Sequence, residues 1–315
     1  LATYRRAAAA DPAVAAPILL LHSEGEGAAL VDALGRAARV DPALRGVPAR
    51  VIPVDVFHTA STGLDLWLAA LAHGAAALWV LTTGEEAPDY RRALAAQMAV
   101  GEALLGGLGA AGPRLRLIEA REAAALDAAL RAAADATPAR GVGSPAAFAV
   151  QADKRATLEL AIDHLLAQSA EPPKAIALPA AAPFGSLSID TERCTLCLSC
   201  VGACPAGALG DNPERPQLRF TEKHCVQCGL CVGTCPESAL ALQPRLWLAD
   251  GGRARKQPRT LHELPPWTCV RCGKPFGTQK AIEAMVVKLA GHAMFQGAAL
   301  ERLKMCGDCR VVDLH

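Results

Sequence analysis

One four-cysteine run occurs twice in this chain. It reads Cys194-x2-Cys197-x2-Cys200-x3-Cys204-Pro205 and returns as Cys225-x2-Cys228-x2-Cys231-x3-Cys235-Pro236. The rest of the 12 cysteines form a third set, Cys269-x2-Cys272 and Cys306-x2-Cys309. None precedes Cys194, so the chain divides into a cysteine-free part and a cysteine-rich part. Disulfides of a small secreted scaffold fit this badly, because more than half of the 315 residues carry no cysteine. Ligation fits the spacing. Zinc would take the cysteines in pairs and leave the middle cysteine of each run unused. The proline after each fourth cysteine turns the chain away and has no N–H to leave unpaired.

The doubled run is the bacterial signature for [4Fe–4S] clusters. Three thiolates along one tight loop wrap three corners of an iron cube, and the fourth corner must be reached from elsewhere. Leu187-Ser188-Ile189-Asp190 and Leu218-Arg219-Phe220-Thr221 read as short strands entering the loops, and Ala239-Leu240-Ala241-Leu242 as a strand leaving the second. Residues 186–246 thus resemble the bacterial two-cluster ferredoxin domain. In that family the fourth cysteine of each run ligates the other cluster. The resemblance therefore implies Cys194, Cys197, Cys200 and Cys235 for a first cluster, and Cys225, Cys228, Cys231 and Cys204 for a second. Arg193, Lys223 and His224 precede the loops. They are candidates for stabilising the reduced, more negative form, but ordinary surface charge is the preferred reading of all three.

The third set, Cys269, Cys272, Cys306 and Cys309, offers four thiolates for a tetrahedral site, a zinc-ribbon-like arrangement. Zinc is the leading reading; rubredoxin-like iron, another cluster, and four unligated thiols are the alternatives. Between the two pairs, Ile282, Met285, Val286 and Leu289 fall at helical spacing, with Thr278 to cap the start and Gly291 the end. His292 and His315 are left out of the ligand set.

Before the cysteines, strand-like and helix-like stretches alternate. The strands are 17–22, 49–54, 76–81 and 114–118; the helices are 27–39, 64–72, 89–108 and 122–134. Such alternation implies a parallel sheet in a three-layer α/β domain. Ser23-Glu24-Gly25-Glu26-Gly27 follows the first strand, but it lacks the G-x-G-x-x-G spacing and its glutamates would repel a phosphate. No nucleophile elbow is present, so Ser23, His22, His58 and Asp55 read as strand-end polar residues. Any ligand would sit beyond the strand C-termini, near Ser23, residues 56–58 and residues 82–84.

These readings divide the chain into 1–140 (α/β), 141–185 (a helix over 153–168, then a Pro/Ala-rich linker from Glu171), 186–246 (ferredoxin) and 247–315 (a basic linker and the metal module). Hydrophobic residues make up 52% and charged residues 20%, which excludes intrinsic disorder. A net charge of +1 gives no general attraction to nucleic acid or anionic lipid. Arg253, Arg255, Lys256 and Arg259 read as a solvated linker, able to meet an acidic redox partner; no aromatic interleaving supports nucleic-acid binding. The longest apolar run, Leu66 to Leu81, contains His73 and Gly74 and is shorter than the about 20 residues a membrane span needs. The opening Leu1-Ala2-Thr3-Tyr4-Arg5-Arg6 is not a secretory leader. A start at Leu suggests a piece of a longer chain, and the expected location is cytoplasmic.

Two wider resemblances follow. Val54-Asp55-Val56 through Gly63-Leu64-Asp65 to Ala72-His73-Gly74-Ala75 is similar to the delta subunit of methyl-viologen-reducing hydrogenases, without that family's cysteines. The order of parts resembles a group of proteobacterial 4Fe–4S binding proteins associated with formate dehydrogenase. The tail match is Cys269-Val270-Arg271-Cys272-Gly273-Lys274-Pro275-Phe276 with Met305-Cys306-Gly307-Asp308-Cys309-Arg310. The expectation is an electron carrier rather than an enzyme. It holds two [4Fe–4S] clusters and one zinc, and serves a partner oxidoreductase such as formate dehydrogenase. The alternatives are an oxidoreductase subunit with a flavin- or nucleotide-binding α/β domain, and a formate dehydrogenase maturation or binding factor.

Overall fold

A computed structural model describes residues 14–137, 141 and 144–314. The opening residues considered as a leader lie outside them, as do 138–140 and 142–143 of the expected linker region and His315. The chain forms two compact units. One takes residues up to Ala181 together with Leu248–Gly252; the other takes Ala182–Trp247 and the chain from Arg253 onward.

The first unit is built as β1 (Ile18–Ser23), α1 (Glu26–Ala37), β2 (Val51–Val56), α2 (Leu64–Ala72), β3 (Ala77–Thr82), α3 (Pro88–Gly107), β4 (Leu115–Glu119), α4 (Ala123–Ala136), α5 (Lys154–Ala167) and β5 (Ala175–Ala177). Strands β1 to β4 are parallel in the order β2-β1-β3-β4, with Ile18 opposite Val51 on one side and Ala77 on the other. Ile18, Leu20, Trp79 and Leu81 pack with Leu30 and Leu34 of α1 and with Leu126 and Leu130 of α4. Leu78 and Val80 alternate to the opposite face and are buried as fully. Helix α2 contacts β3, α3 and α5. Apart from Asp65 in its first turn it is apolar, and all its residues except Asp65 and Leu66 are buried. The apolar run noted in the sequence is therefore α2 followed by β3, two core elements rather than one span.

Two local devices hold this unit together. Asp127 of α4 accepts from Arg45 N at 2.9 Å, Gly46 N at 2.8 Å and Arg131 Nε at 2.6 Å, which ties the loop after α1 to α4. Burial alone would raise its pKa, but these donors outweigh burial and hold it below the ordinary carboxylate value. Within the Pro/Ala-rich stretch, Ile176 of β5 lies directly on Gly107. A Cβ at that glycine would come within 2.6 Å of Ile176 Cγ1, so only glycine permits the approach.

The second unit runs β6 (Gly185–Ile189), α6 (Ser199–Gly202), β7 (Leu209–Gly210), β8 (Gln217–Phe220), α7 (Leu230–Thr234), β9 (Leu240–Trp247), β10 (Arg259–Glu263), β11 (Pro266–Thr268), β12 (Pro275–Thr278), α8 (Gln279–Leu289), α9 (Ala298–Arg302) and α10 (Gly307–Leu314). Strands β6 and β9 are antiparallel, with Leu187 opposite Leu242. A second antiparallel sheet has the order β10-β8-β7. Leu187, Leu196, Leu209, Leu218, Phe220 and Leu240 form the core around the cysteine loops.

The basic stretch 253–259 corrects an expectation in part: Arg253 is exposed as a solvated linker requires, but Arg255 and Arg259 are built into the fold. Arg255 is 1% exposed, and Arg259 opens β10. Arg259 Nη2 reaches Glu222 at 3.2 Å, while its guanidinium lies 5.3 Å from the Phe220 ring centroid and 5.4 Å from that of Trp247. A planar cation that stacks on rings and meets a carboxylate is stable in such a place. Its partners are distant in sequence and invisible to a local charge count.

Candidate metal centres

The two cysteine runs fold into two adjacent loop-and-turn units. In the first, Leu196 and Leu198 take left-handed backbone angles, φ 55° and 60°. In the second, Gln227 and Gly229 take the same places, φ 55° and 78°. Left-handed angles cost a branched or long residue on the order of 1 kcal/mol each. The chain accepts them because they curl the run so that successive sulfurs face inward. Each loop then enters a short helix, α6 or α7, that carries the third cysteine, Cys200 or Cys231.

Each unit encloses a cavity. Cys194, Cys197 and Cys200 line the first, and the fourth cysteine on its wall is Cys235 from the other run. Cys225, Cys228 and Cys231 line the second, together with Cys204 from the first run. Most of the remaining lining is apolar, with Ile189, Leu218 and Leu240 in one and Leu187, Leu209 and Phe220 in the other; Thr195, Ser199 and Glu237 also border the first, and Gln227 the second. All 12 cysteines are free thiols. Four soft donors around an apolar hollow suit an iron–sulfur cluster, so the residues present fit that group.

Donors already point at the sulfurs. Ala208 N lies 3.2 Å from Cys204 Sγ and Ala239 N 3.3 Å from Cys235 Sγ, the same contact in each repeat. Leu196 N is 3.5 Å from Cys194 Sγ, and Gln227 Nε2 is 3.2 Å from Cys225 Sγ. Such N–H···S bonds stabilise added negative charge on a cluster. Gln227 Nε2 also reaches Ser186 O at 3.0 Å, which fixes the side chain against β6.

The electrostatics separate exposed ligands from buried ones. Burial pushes the Cys200 thiol up to about 12, helped by Cys194, Cys197 and Cys231. Cys231 lines the other cavity, so the two sites are close enough to feel each other's charge. Burial raises Cys194, Cys225 and Cys231 as well. At Cys197 burial is opposed and outweighed by hydrogen bonds from Ser199 and Thr195, and its pKa falls. Lys280 of α8, far along the chain, lowers Cys194 by its charge. Of the cations read from the sequence, Arg193 is exposed and Lys223 half-buried, and His224 is exposed too. Lys280 was missed because its relation to the loop exists only in three dimensions.

The third set also converges. The ligand atoms of Cys269, Cys272, Cys306 and Cys309 all lie within 4.8 Å of one another. Cys269 and Cys272 sit at the tip of the β11–β12 hairpin, closed by Cys269 N to Lys274 O at 2.9 Å and Gly273 N to Cys269 O at 2.9 Å. Cys306 and Cys309 flank the start of α10, where free N–H groups favour thiolates. Cys306 N donates to Cys269 Sγ at 3.3 Å. Burial would raise Cys269, but backbone N–H donors from Cys306, Cys272 and Arg271 bring it down to about 6. Hydrogen bonding with Cys272, then burial, pushes Cys309 up to about 12. Four thiols so close together are able to hold one metal ion. His292 is exposed and accepts instead from Met294 N at 3.3 Å.

Residues 186–236 match the family model of the 4Fe-4S dicluster domain. The chain carries an iron–sulfur domain. The role such a dicluster domain supports is electron transfer, which calls for a redox partner. No curated protein resembles the chain closely enough to count as a relative. Among the described residues, no helix is long and apolar enough to cross a membrane.

The crevice at the C-terminal edge of the parallel sheet has a different character. Gly27 N is bound by Ser23 Oγ at 2.9 Å, Gly84 N by Glu26 Oε2 at 3.1 Å, and Thr83 N by Glu86 Oε2 at 2.8 Å. Ser23 Oγ donates in turn to Glu85, and Thr59 Oγ1 donates to Glu86 Oε1 at 2.7 Å. These backbone N–H groups, which would otherwise hold a phosphate, are occupied by the chain's own side chains. Three carboxylates stand where an anion would arrive.

Proposed function

We propose that this chain relays single electrons through two [4Fe–4S] clusters between a donor and an acceptor oxidoreductase. Cys194, Cys197, Cys200 and Cys235 would hold the first cluster, and Cys225, Cys228, Cys231 and Cys204 the second. The observation that carries this reading is the pair of adjacent apolar cavities, each walled by three cysteines of one run and the fourth of the other. When bound, the clusters supply one-electron redox chemistry. The chain's own residues provide thiolates, N–H donors to sulfur and apolar walls that keep water back. Cys269, Cys272, Cys306 and Cys309 would hold a zinc whose role is structural. The α/β domain is assigned to docking or support, and a formate dehydrogenase is a candidate partner. Free thiols throughout suit a reducing compartment such as the cytoplasm.

The test is metal analysis of anaerobically purified chain, with low-temperature EPR after reduction. About eight irons and one zinc per chain are expected, with signals from two interacting centres. Cys235→Ala should abolish or convert the cluster that Cys197→Ser also perturbs, and Cys204→Ala the one that Cys228→Ser perturbs. Iron near zero would overturn the reading. Cys235→Ala perturbing the same cluster as Cys228→Ser would overturn the crossed ligand sets.

A further inference from the structure

The C-terminal metal module does not stand apart from the first cluster loop. Thr278, the residue that caps α8 by accepting from Ala281 N at 3.1 Å, also donates its hydroxyl to Thr195 O at 2.8 Å. Thr195 lies between Cys194 and Cys197, and Thr278 is 3% exposed. Two residues further, Lys280 Nζ donates to Thr191 O at 2.9 Å and to Glu192 O. Those carbonyls belong to the turn that delivers Cys194, whose N bonds Asp190 O at 2.9 Å, while Asp190 Oδ1 accepts from Glu192 N and Arg193 N. An ammonium and the N-terminal end of an eleven-residue helix are thus both fastened to the approach of the first site.

The second site has a different arrangement. The equivalent turn, Glu222–His224, carries a buried carboxylate onto which both nearby guanidiniums are directed: Arg245 at 2.9 and 2.8 Å and Arg259 at 3.2 Å. The largest influences on Cys225 are burial, Gln227 and neighbouring thiols. The two turns are therefore held differently, the first by an ammonium from the module that follows the runs and the second by a carboxylate of its own.

We propose that Lys280 is a positioning residue that makes the first cluster the more easily reduced of the two, with the C-terminal four-cysteine site serving to hold α8 and its ammonium in place. The proposal rests on the two-cluster reading. An electron arriving from the protein donor adds one negative charge at the first site, and a fixed ammonium beside the Cys194 turn stabilises that charge without itself gaining or losing a proton. Electrons would then rest on the first cluster, on the side of the molecule that α8 covers.

The experiment is a potentiometric titration of the full anaerobic chain, each centre followed by its EPR signal and assigned with Cys197→Ser and Cys228→Ser. In Lys280→Gln the reduction equilibrium of the first centre should fall by on the order of tenfold, which for one electron is 59 mV, with iron content unchanged. Lys280→Arg should restore it, and the second centre should move far less. Cys309→Ser, which leaves all eight cluster cysteines in place, should lower the same centre by releasing α8. Two reducible centres whose potentials are unmoved by Lys280→Gln, or shifted equally, would overturn the role of Lys280 alone. A Lys280→Gln chain that loses half its iron would also overturn it, in favour of a purely structural contact. A wild-type chain without iron would overturn both readings.

Discussion

Glu222 offers a direct test of what holds the second cluster loop. Its carboxylate is 5% exposed and takes three charged N–H donors, two from Arg245 and one from Arg259. Its carbonyl accepts from Cys225 N at 3.1 Å, so the same residue that neutralises two arginines also seats the first cysteine of the run. Removing one partner of a buried pair costs about 3–5 kcal/mol, because the charge left behind is unpaired. Arg245 and Arg259 keep side-chain exposures of 30% and 34%, so water relieves part of that cost and the lower end applies. For Glu222→Ala we expect about 3 kcal/mol, and for Glu222→Gln, which keeps an acceptor but not the charge, about half as much. The readout is the rate at which cluster absorbance disappears in guanidinium under anaerobic conditions, where unfolding limits release. To the extent that the ion pair is broken at the transition state, Glu222→Ala should raise that rate by about 10- to 150-fold. Rates within twofold of wild type, or Glu222→Gln as damaging as Glu222→Ala, would show that the three contacts do not carry the loop.

Two further outcomes can be checked separately. Asp127→Ala should cost the α/β unit about 2 kcal/mol in urea; because the folded pKa of Asp127 is depressed, its contribution is full above the ordinary carboxylate value and lost as pH falls through the folded one, so the gap between wild type and Asp127→Asn should close in acid titrations of the urea midpoint. Gly185→Ala would place a Cβ 2.5 Å from Gln243 O and 2.4 Å from Gln227 Cδ, so β6 and β9 must part and Gln227 must leave Cys225 Sγ; a cost of about 1–3 kcal/mol and faster iron loss from the second centre than from the first are expected by EPR.

The sequence carried the α/β layer well because its signals are local. The central strands β1 and β3 are short apolar runs bounded by polar or turn residues, and α2 advertises its packed position by the unbroken apolar stretch from Leu66 to Ala72. The cysteine runs were readable for the same reason: three of the four cysteines that line each cavity lie within one loop. What escaped was set by distance along the chain. Arg259 looked like one charge of a linker because Glu222, Phe220 and Trp247 come together with it only through the pairing of β8 with β10. Lys280 looked like one more surface lysine on an amphipathic helix. The periodicity of that helix proposed Ile282, Met285, Val286 and Leu289 as a packed face, and only Ile282 is deeply buried; Met285 is 37% exposed. Helix α8 meets the rest of the unit through polar residues at both ends, Thr278 and Lys280 at the start and Lys288 on Glu237 near the end, and the pattern of apolar residues carries no mark of that.

The exchange of a fourth wall between the two repeats has a consequence for how the molecule is made. A ribosome that has released residues up to Cys204 has supplied only three thiols to the first hollow and one to the second. The second has its four only once Cys231 has emerged, and the first only once Cys235 has. Both hollows therefore gain their last thiol within the second repeat, and a chain interrupted between the repeats encloses neither.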